Sequence, residues 1–197
     1  GLGLEVGKWL VSQGARNLVL LGRSEPKEKA LEAIEEMRAA GAEVVCVQAD
    51  VADASRMREV IEGLGQEGKQ LRGIIQAAGV SNPQMLAEMN LETLEIAMRA
   101  KVEGTWVLHE LSKNLELDFF VMFSSVASVW GAMSLSHYAA ANHFLDAMAH
   151  YRRRKGLPAL SVNWGVWAGR GMATNDVQKV LAAFGMKAMP PTQALEA

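Results

Sequence analysis

Short apolar runs of strand character alternate with amphipathic helical segments along the whole chain, and this alternation restricts the fold more than any single residue does. Leu4, Val6, Trp9, Leu10 and Val11 recur at helical spacing before Gly14-Ala15. Asn17 to Leu21 is an apolar strand ending at Gly22-Arg23-Ser24. A charged helix from Glu25 to Ala40 is expected to turn Leu31, Ile34 and Met37 inward, and Glu43 to Gln48 forms the next strand, leading into Ala49-Asp50-Val51. A helix from Asp53 to Leu64 and a polar turn precede a strand from Leu71 to Ala78 that ends at Gly79. A helical segment from Leu91 to Lys113, a strand from Phe119 to Phe123, a helix ending in Arg152-Arg153-Arg154-Lys155 and a strand from Leu160 to Gly165 continue the pattern. Gly169-Arg170-Gly171-Met172 is expected to open a mobile stretch, with a helix around Val177 to Phe184 and another starting at Pro190-Pro191. Strands separated by helices pair in parallel, so the expected class is α/β, a doubly wound parallel sheet with helices on both faces.

Composition sets the outer limits. Half of the 197 residues are apolar, enough for the core of one domain of moderate size. A formal net charge of −2 gives no basic excess with which to collect phosphates, which argues against nucleic acid as a partner. No apolar run approaches the ~18 residues needed to cross a bilayer, so no membrane role is expected. The single Cys46 cannot form an internal disulfide, and its apolar strand context predicts a buried reduced thiol and a cytoplasmic protein. His109, His137, His143 and His150 lack the Cys or carboxylate neighbours of a metal site, and none is expected. The first residue is Gly rather than Met, as expected of a piece of something longer.

The chemistry concentrates between Val121 and Asn142, VMFSSVASVWGAMSLSHYAAAN. The strand stops at Ser124-Ser125, and after a Gly-containing loop a helical pattern carries Tyr138 and, four residues on, Asn142, so these two share a helix face. A hydroxyl at a strand end then faces a phenol, an arrangement suited to delivering a proton to a carbonyl. A phenol with an unperturbed pKa near ~10 needs a nearby cation to be useful at neutral pH. Lys101, 24 residues before Ser125, is the candidate. Singly, each has a plainer reading: Ser125 as a strand-end hydroxyl, Tyr138 as a half-buried aromatic, Lys101 as a solvated cation.

Jointly, these residues resemble the catalytic half of a ketoreductase domain of modular polyketide synthases and related fatty acid synthases, a branch of the short-chain dehydrogenase/reductases. Ordinary members of that superfamily carry Tyr-x-x-x-Lys. Here Asn142 stands at the lysine position and Lys101 lies upstream, the exchange characteristic of synthase-embedded ketoreductases. The resemblance covers nearly the whole chain and implies a Rossmann-like doubly wound sheet lacking its first strand in this fragment. That strand would precede Gly1, between the strands at Leu18 and Ile74. Without it two inner edges lose their partner, and these residues alone are expected to fold poorly and bind cofactor weakly.

The same resemblance assigns further roles. Gly1-Leu2-Gly3 would be the end of the phosphate-binding fingerprint, although two glycines also suit a plain turn. Arg23, with Ser24, stands where a dinucleotide fold chooses its cofactor, and an Arg there pairs with the 2′-phosphate of NADPH, unless it is merely solvated. Asp50 and Val51 would hold the adenine, while Asp50 could instead cap the helix beginning near Ala54. Ala77, Ala78 and Gly79 would let the nicotinamide ribose lie against bare backbone. The family usually has His where Gln76 stands. Trp164 belongs to the segment that covers the nicotinamide, and Trp167 to the start of the substrate lid. Trp130, eight residues before Tyr138, marks the class that gives an L-configured 3-hydroxyl, or else packs beside Gly131. The basic run at Arg152 to Lys155 reads as a surface helix end favoured by the dipole, or as a receiver for an acidic carrier protein.

The implied reaction is hydride transfer from NADPH to the 3-keto carbon of an acyl chain held as a thioester on the phosphopantetheine arm of an acyl carrier protein, with neighbouring synthase domains in the same polypeptide. Tyr138 would donate the proton, Ser125 would hydrogen-bond the carbonyl oxygen, and Lys101 with Asn142 would bias the phenol and relay protons. A reduction-silent structural domain and an extended-type sugar nucleotide epimerase are the alternatives, and Asn142 counts against the epimerase.

Overall fold

The computed structural model describes residues 1–66, 68–169, 178, 181–183 and 185–196. The stretch expected to be mobile from Arg170 onward, and most of the helix expected at Val177 to Phe184, lie outside them. Two compact units account for the chain, Gly1–Ala49 with Gly165–Ala197, and Asp50–Trp164.

In the first unit α1 (Leu2–Ser12), β1 (Asn17–Gly22), α2 (Glu28–Ala39) and β2 (Glu43–Gln48) follow in order, with a further helix at Pro191–Glu196. Strands β1 and β2 are parallel, in register from Asn17 opposite Glu43 to Gly22 opposite Gln48. Their core is a cluster of Val11, Ile34, Met37, Ala42 and Val44, against which Leu4, Leu18 and Leu20 pack. Leu31 does not join it and is 48% exposed. At about 100° per residue the buried stripe runs through Ala33, Ile34 and Met37, and Leu31 falls outside it at the first turn. Cys46 is exposed rather than buried. Of the β2 side chains only Val44 is buried, and Cys46, two residues on, lies past the cluster that covers Val44. The segment after Gly165 is held by a short parallel pairing, in which the Ala168 amide donates to the Met189 carbonyl and the Met189 amide to that of Val166, each at 2.8 Å.

The second unit comprises α3 (Ala54–Gln66), β3 (Gly73–Gln76), α4 (Leu91–Met98), α5 (Gly104–Ser112), β4 (Phe119–Ser125), α6 (Ala127–Trp130), α7 (Ser136–Arg154) and β5 (Leu160–Trp164). Its sheet is parallel throughout in the order β3-β4-β5. Phe120 and Met122 of β4 are fully buried, as are Ala141 and Leu145 of α7, the helix packed on β4 and β5.

Two local departures from the sequence pattern matter. The helical segment from Leu91 is interrupted at Arg99–Glu103 by a π-helical turn, which carries Lys101. The basic end of α7 is not all surface: Arg153, Arg154 and Lys155 are exposed, but Arg152 is fully buried. Its Nε donates to the Pro158 carbonyl at 3.1 Å, its Nη1 to His109 Nδ1 at 3.0 Å, and its guanidinium lies 4.0 Å from the centre of the Phe120 ring. The step of about 100° between successive helix positions, rather than the dipole, decides which of the four cations meets water.

Candidate active site

Strand β4 delivers its carboxyl end to the site because Phe119 to Phe123 is apolar enough to run through the core, and the chain turns where the serines begin. Ser125 pairs with Trp164 at the last register position of β4 and β5. Its Oγ accepts from the Ala127 amide at 3.2 Å, starting α6 and leaving the hydroxyl proton to be donated elsewhere. Ser124, fully turned inward at 4% exposure, donates from Oγ to the Asn142 carbonyl at 3.1 Å. Asn142 in turn donates from Nδ2 to the Tyr138 carbonyl at 2.7 Å, and its buried Oδ1 has no partner among the described residues. The strand end and the first turns of α7 are thus locked to each other.

Lys101 enters from the third side. It is 3% exposed, its Nζ donates to the Phe123 carbonyl at 2.7 Å, and it lies 5.8 Å from the centre of the Tyr138 ring. Burial pushes its pKa down from the usual lysine range to about 8, against the opposing pull of the Asp146 carboxylate. The π turn places it there. Such turns insert one residue into the helical repeat and re-aim the side chains that follow. Gln76 anchors the turn by donating from Nε2 to the Ala100 carbonyl at 2.6 Å, while its Oε1 accepts from the Ala78 amide at 3.0 Å. Sequence reasoning noted Gln76 only as a substitution for His; a polar side chain within the apolar run that makes β3 was the signal that it holds something.

The residues assigned to the cofactor are distributed as follows. In the first unit Gly1 caps α1, Gly1 and Gly3 are exposed and Leu2 is half-buried at that helix start. Arg23 and Ser24 are exposed just past β1, and Gln48 Nε2 donates to the Arg23 carbonyl at 3.1 Å. Among the described residues the Arg23 guanidinium has no hydrogen bond or ion pair of its own. In the second unit Asp50 does not cap α3. Asp53 does, accepting from the Arg56 amide at 3.0 Å, whereas Asp50 accepts from the Ala52 amide at 2.9 Å and from Arg99 Nε at 2.8 Å. Val51 is buried against Gly104, where a β-carbon would lie 2.5 Å from its Cγ1. Ala77 and Ala78 continue β3 toward Gly79, over which the Lys101 stem passes. Trp164 packs on Phe123 with ring centres 5.3 Å apart.

Of the two tryptophans assigned to substrate, Trp130 is 72% exposed, and Val129 and Met133 are exposed as well. Trp167 is buried at 3%. Among the described residues no cluster of His, Cys, Asp or Glu could hold a metal ion, and no helix is long and apolar enough to cross a membrane.

The sequence matches the family profile described as KR domain over residues 1–169. This chain belongs to the KR domain family. It is of the kind found in modular type I polyketide synthases. It is 42% identical to erythronolide synthase EryA3 of Saccharopolyspora erythraea over its whole length, while spanning 6% of that protein. Among solved structures, the ketoreductase PlmKR1 from the first module of phoslactomycin biosynthesis in Streptomyces sp. HK803 superposes with a TM-score of 0.94 at 40% identity, covering all of this chain and 46% of that one. A structure described as A-type ketoreductases from modular polyketide synthase gives 0.95 at 39% identity, covering all of this chain and 42% of that one. The chain therefore spans less than half of each of these three relatives. The Rossmann-like α/β class expected from the sequence is that of these ketoreductases. KR domains use NAD(P)H, and the residues present fit such a group: an exposed arginine after β1, unpaired among the described residues, and open glycine backbone at the start of α1 are the donors a phosphate-bearing dinucleotide needs.

Proposed function

We propose that this KR domain reduces the 3-keto group of an acyl thioester, carried on the phosphopantetheine arm of an acyl carrier protein in a cytoplasmic multienzyme, with NADPH as reductant. The observation that supports it most is the buried Lys101, held by the Phe123 carbonyl and set against the Tyr138 ring. Among the described residues no carboxylate is within ion-pair distance of it; a lysine taken out of water in this way is unfavourable, and such an arrangement is retained where its charge is used.

When bound, the reduced nicotinamide supplies a hydride to the carbonyl carbon. The chain's own residues handle the oxygen. Ser125 donates a hydrogen bond to it, and Tyr138 donates the proton that completes the hydroxyl. The Lys101 ammonium stabilises the phenolate left behind, and Asn142, which donates to the Tyr138 carbonyl, offers to the proton relay an Oδ1 that has no partner among the described residues. Arg23 and Ser24 would meet the 2′-phosphate, Gly1 to Gly3 the pyrophosphate, Asp50 and Val51 the adenine, and Ala77 to Gly79 with Trp164 the nicotinamide end. Trp130 would line the acyl entry and direct reduction to the L-configured alcohol, while the buried Trp167 would hold the segment after β5.

The test is NADPH oxidation by the full-length polypeptide with a 3-ketoacyl thioester, beside Tyr138→Phe. Substrate-dependent turnover that is lost in the variant supports the assignment. A protein that binds NADPH and turns over no 3-ketoacyl thioester is a silent structural domain instead.

A further inference from the structure

Asp146 stands on α7 eight residues beyond Tyr138, and the steps assigned above make no use of it. Its Oδ2 accepts from Ser128 Oγ at 2.6 Å and from Asn163 Nδ2 at 2.9 Å, and its Oδ1 accepts from Ser161 Oγ at 2.6 Å. These donors belong to α6 and β5, so one carboxylate on α7 joins three elements. Among the described residues no lysine or arginine lies within ion-pair distance of it, and its direct hydrogen-bond donors are neutral.

The network reaches the site through Asn163. Its Nδ2 also donates to Ser128 Oγ at 2.7 Å and lies 3.3 Å from Ser124 Oγ and 3.4 Å from the Ser125 carbonyl. An amide nitrogen has two protons, so the two short bonds dominate and the two longer contacts are shared. Ser124 ties β4 to Asn142, Ser125 is the residue assigned above to the substrate carbonyl, and Phe123, just before them, is the acceptor for Lys101. Without the carboxylate, Ser128, Ser161 and Asn163 lose their common acceptor, and the strand end loses its brace.

We propose that Asp146 is a positioning residue for the reduction: through Ser128, Ser161 and Asn163 it fixes the Ser124-Ser125 end of β4, and with it the Phe123 carbonyl that accepts from Lys101. The inference rests on reading Lys101 and Ser125 as site residues. Of the charged groups on the elements packed around the π turn, Asp146 is the one that acts on Lys101. Glu92 and Glu95 of α4 and Glu110 of α5 are exposed, His109 and Arg152 pair with each other, and Arg99 pairs with Asp50 and Glu103. Tyr138 is the remaining titratable group against it.

The test compares wild type, Asp146→Asn and Ser161→Ala in the full-length protein. Competitive acylation with acetic anhydride across roughly pH 6 to 11, read peptide by peptide by mass, gives the titration midpoint of Lys101 without requiring turnover. Asp146→Asn is expected to lower that midpoint by about one unit, since it removes an opposite charge. Ser161→Ala keeps the charge and is expected to lower Tm with the midpoint in place. With a 3-ketoacyl thioester at pH 8, kcat of Asp146→Asn falls about fivefold, following the charged fraction of Lys101, with KM unchanged. An unmoved Lys101 midpoint in Asp146→Asn overturns the proposal and leaves Asp146 a structural residue. A wild type that reduces no 3-ketoacyl thioester while the midpoint still shifts refutes the assigned reaction and not the role of Asp146.

Discussion

A β-carbon on Gly79 would stand 2.7 Å from Cε of Lys101 and 3.3 Å from its Nζ. The glycine is therefore needed by the lysine: the Lys101 stem crosses the backbone where any side chain would displace it. The colliding atoms are at the flexible end of a long chain, so the lysine can yield with little loss of stability. Gly79→Ala is expected to leave Tm within a few degrees while reducing kcat about 10- to 100-fold, because the ammonium moves off the Phe123 carbonyl and the Tyr138 ring. Thermal melts and steady-state kinetics on the same preparation check both halves. A kcat equal to wild type would show that the contact is not needed.

Lys101 also sets a cost on folding. Its pKa is lowered by burial to about 8, so between that value and the usual 10.5 the unfolded chain holds a proton that the native state has released. Native stability therefore rises with pH across that window, and the full penalty of burying the charge is present below it. Lys101→Met should be inactive and yet more stable by about 2 kcal/mol at pH 7, an advantage that shrinks as pH rises from 8 toward 10.5. Urea denaturation of both proteins at several pH values measures it, and a variant less stable than wild type at pH 7 contradicts the account.

Tyr138→Phe removes the proposed proton donor and leaves the ring beside Lys101. A loss of about 100- to 10,000-fold in kcat is expected, with NADPH affinity and Tm unchanged. Ser125→Ala should lower kcat by a similar order, since it deletes a donor to the oxygen on which charge develops. Loss of cofactor binding in either variant would point to disruption of the fold rather than of the chemistry.

Much of this was legible in the sequence, and the exceptions share a cause. The apolar run of β4 ending at Ser124-Ser125, and the helical spacing that pairs Tyr138 with Asn142, follow from period and composition alone, and the structure brings Lys101 against both. The π turn at Arg99–Glu103 was not legible, because an inserted helical residue leaves no mark in the hydrophobic period. The burial of Arg152 was hidden in a run of four cations whose individual facings depend on rotation around the helix. Cys46 and Leu31 were misjudged for a related reason: an apolar residue within an element says nothing of whether another element covers that spot. The Asp146 network joins positions 128, 146, 161 and 163, which no local pattern connects.

Arg23 should decide between the two nicotinamide cofactors. Its exposed guanidinium, unpaired among the described residues, pairs with the charge of a 2′-phosphate and gains far less from a neutral 2′-hydroxyl. Arg23→Ala is expected to raise KM for NADPH about 10- to 100-fold and to leave KM for NADH near its wild-type value. Equal effects on both cofactors would place Arg23 outside the phosphate subsite.

The final prediction concerns the most buried cation. Arg152 is fully buried, with no carboxylate partner among the described residues, held by the Pro158 carbonyl, His109 Nδ1 and Ser112 Oγ and stacked on Phe120. Because the guanidinium donates to His109 Nδ1, that imidazole must be neutral, with its proton on Nε2. Burial, and then the Arg152 charge, hold the His109 pKa below its usual 6.5. The unfolded chain therefore takes up a proton first as pH falls, and native stability should drop below pH 6.5, a slope that His109→Gln flattens. Arg152→Ala opens a cavity and strands three polar partners, and should cost about 3 kcal/mol. Arg152→Met keeps the stem against Phe120 and removes the buried charge, so its loss should be smaller. Denaturant midpoints for the three variants at pH 5 and pH 7 test the account together. An Arg152→Met protein as unstable as Arg152→Ala would mean that the hydrogen bonds, rather than the packed stem, hold α7 to α5.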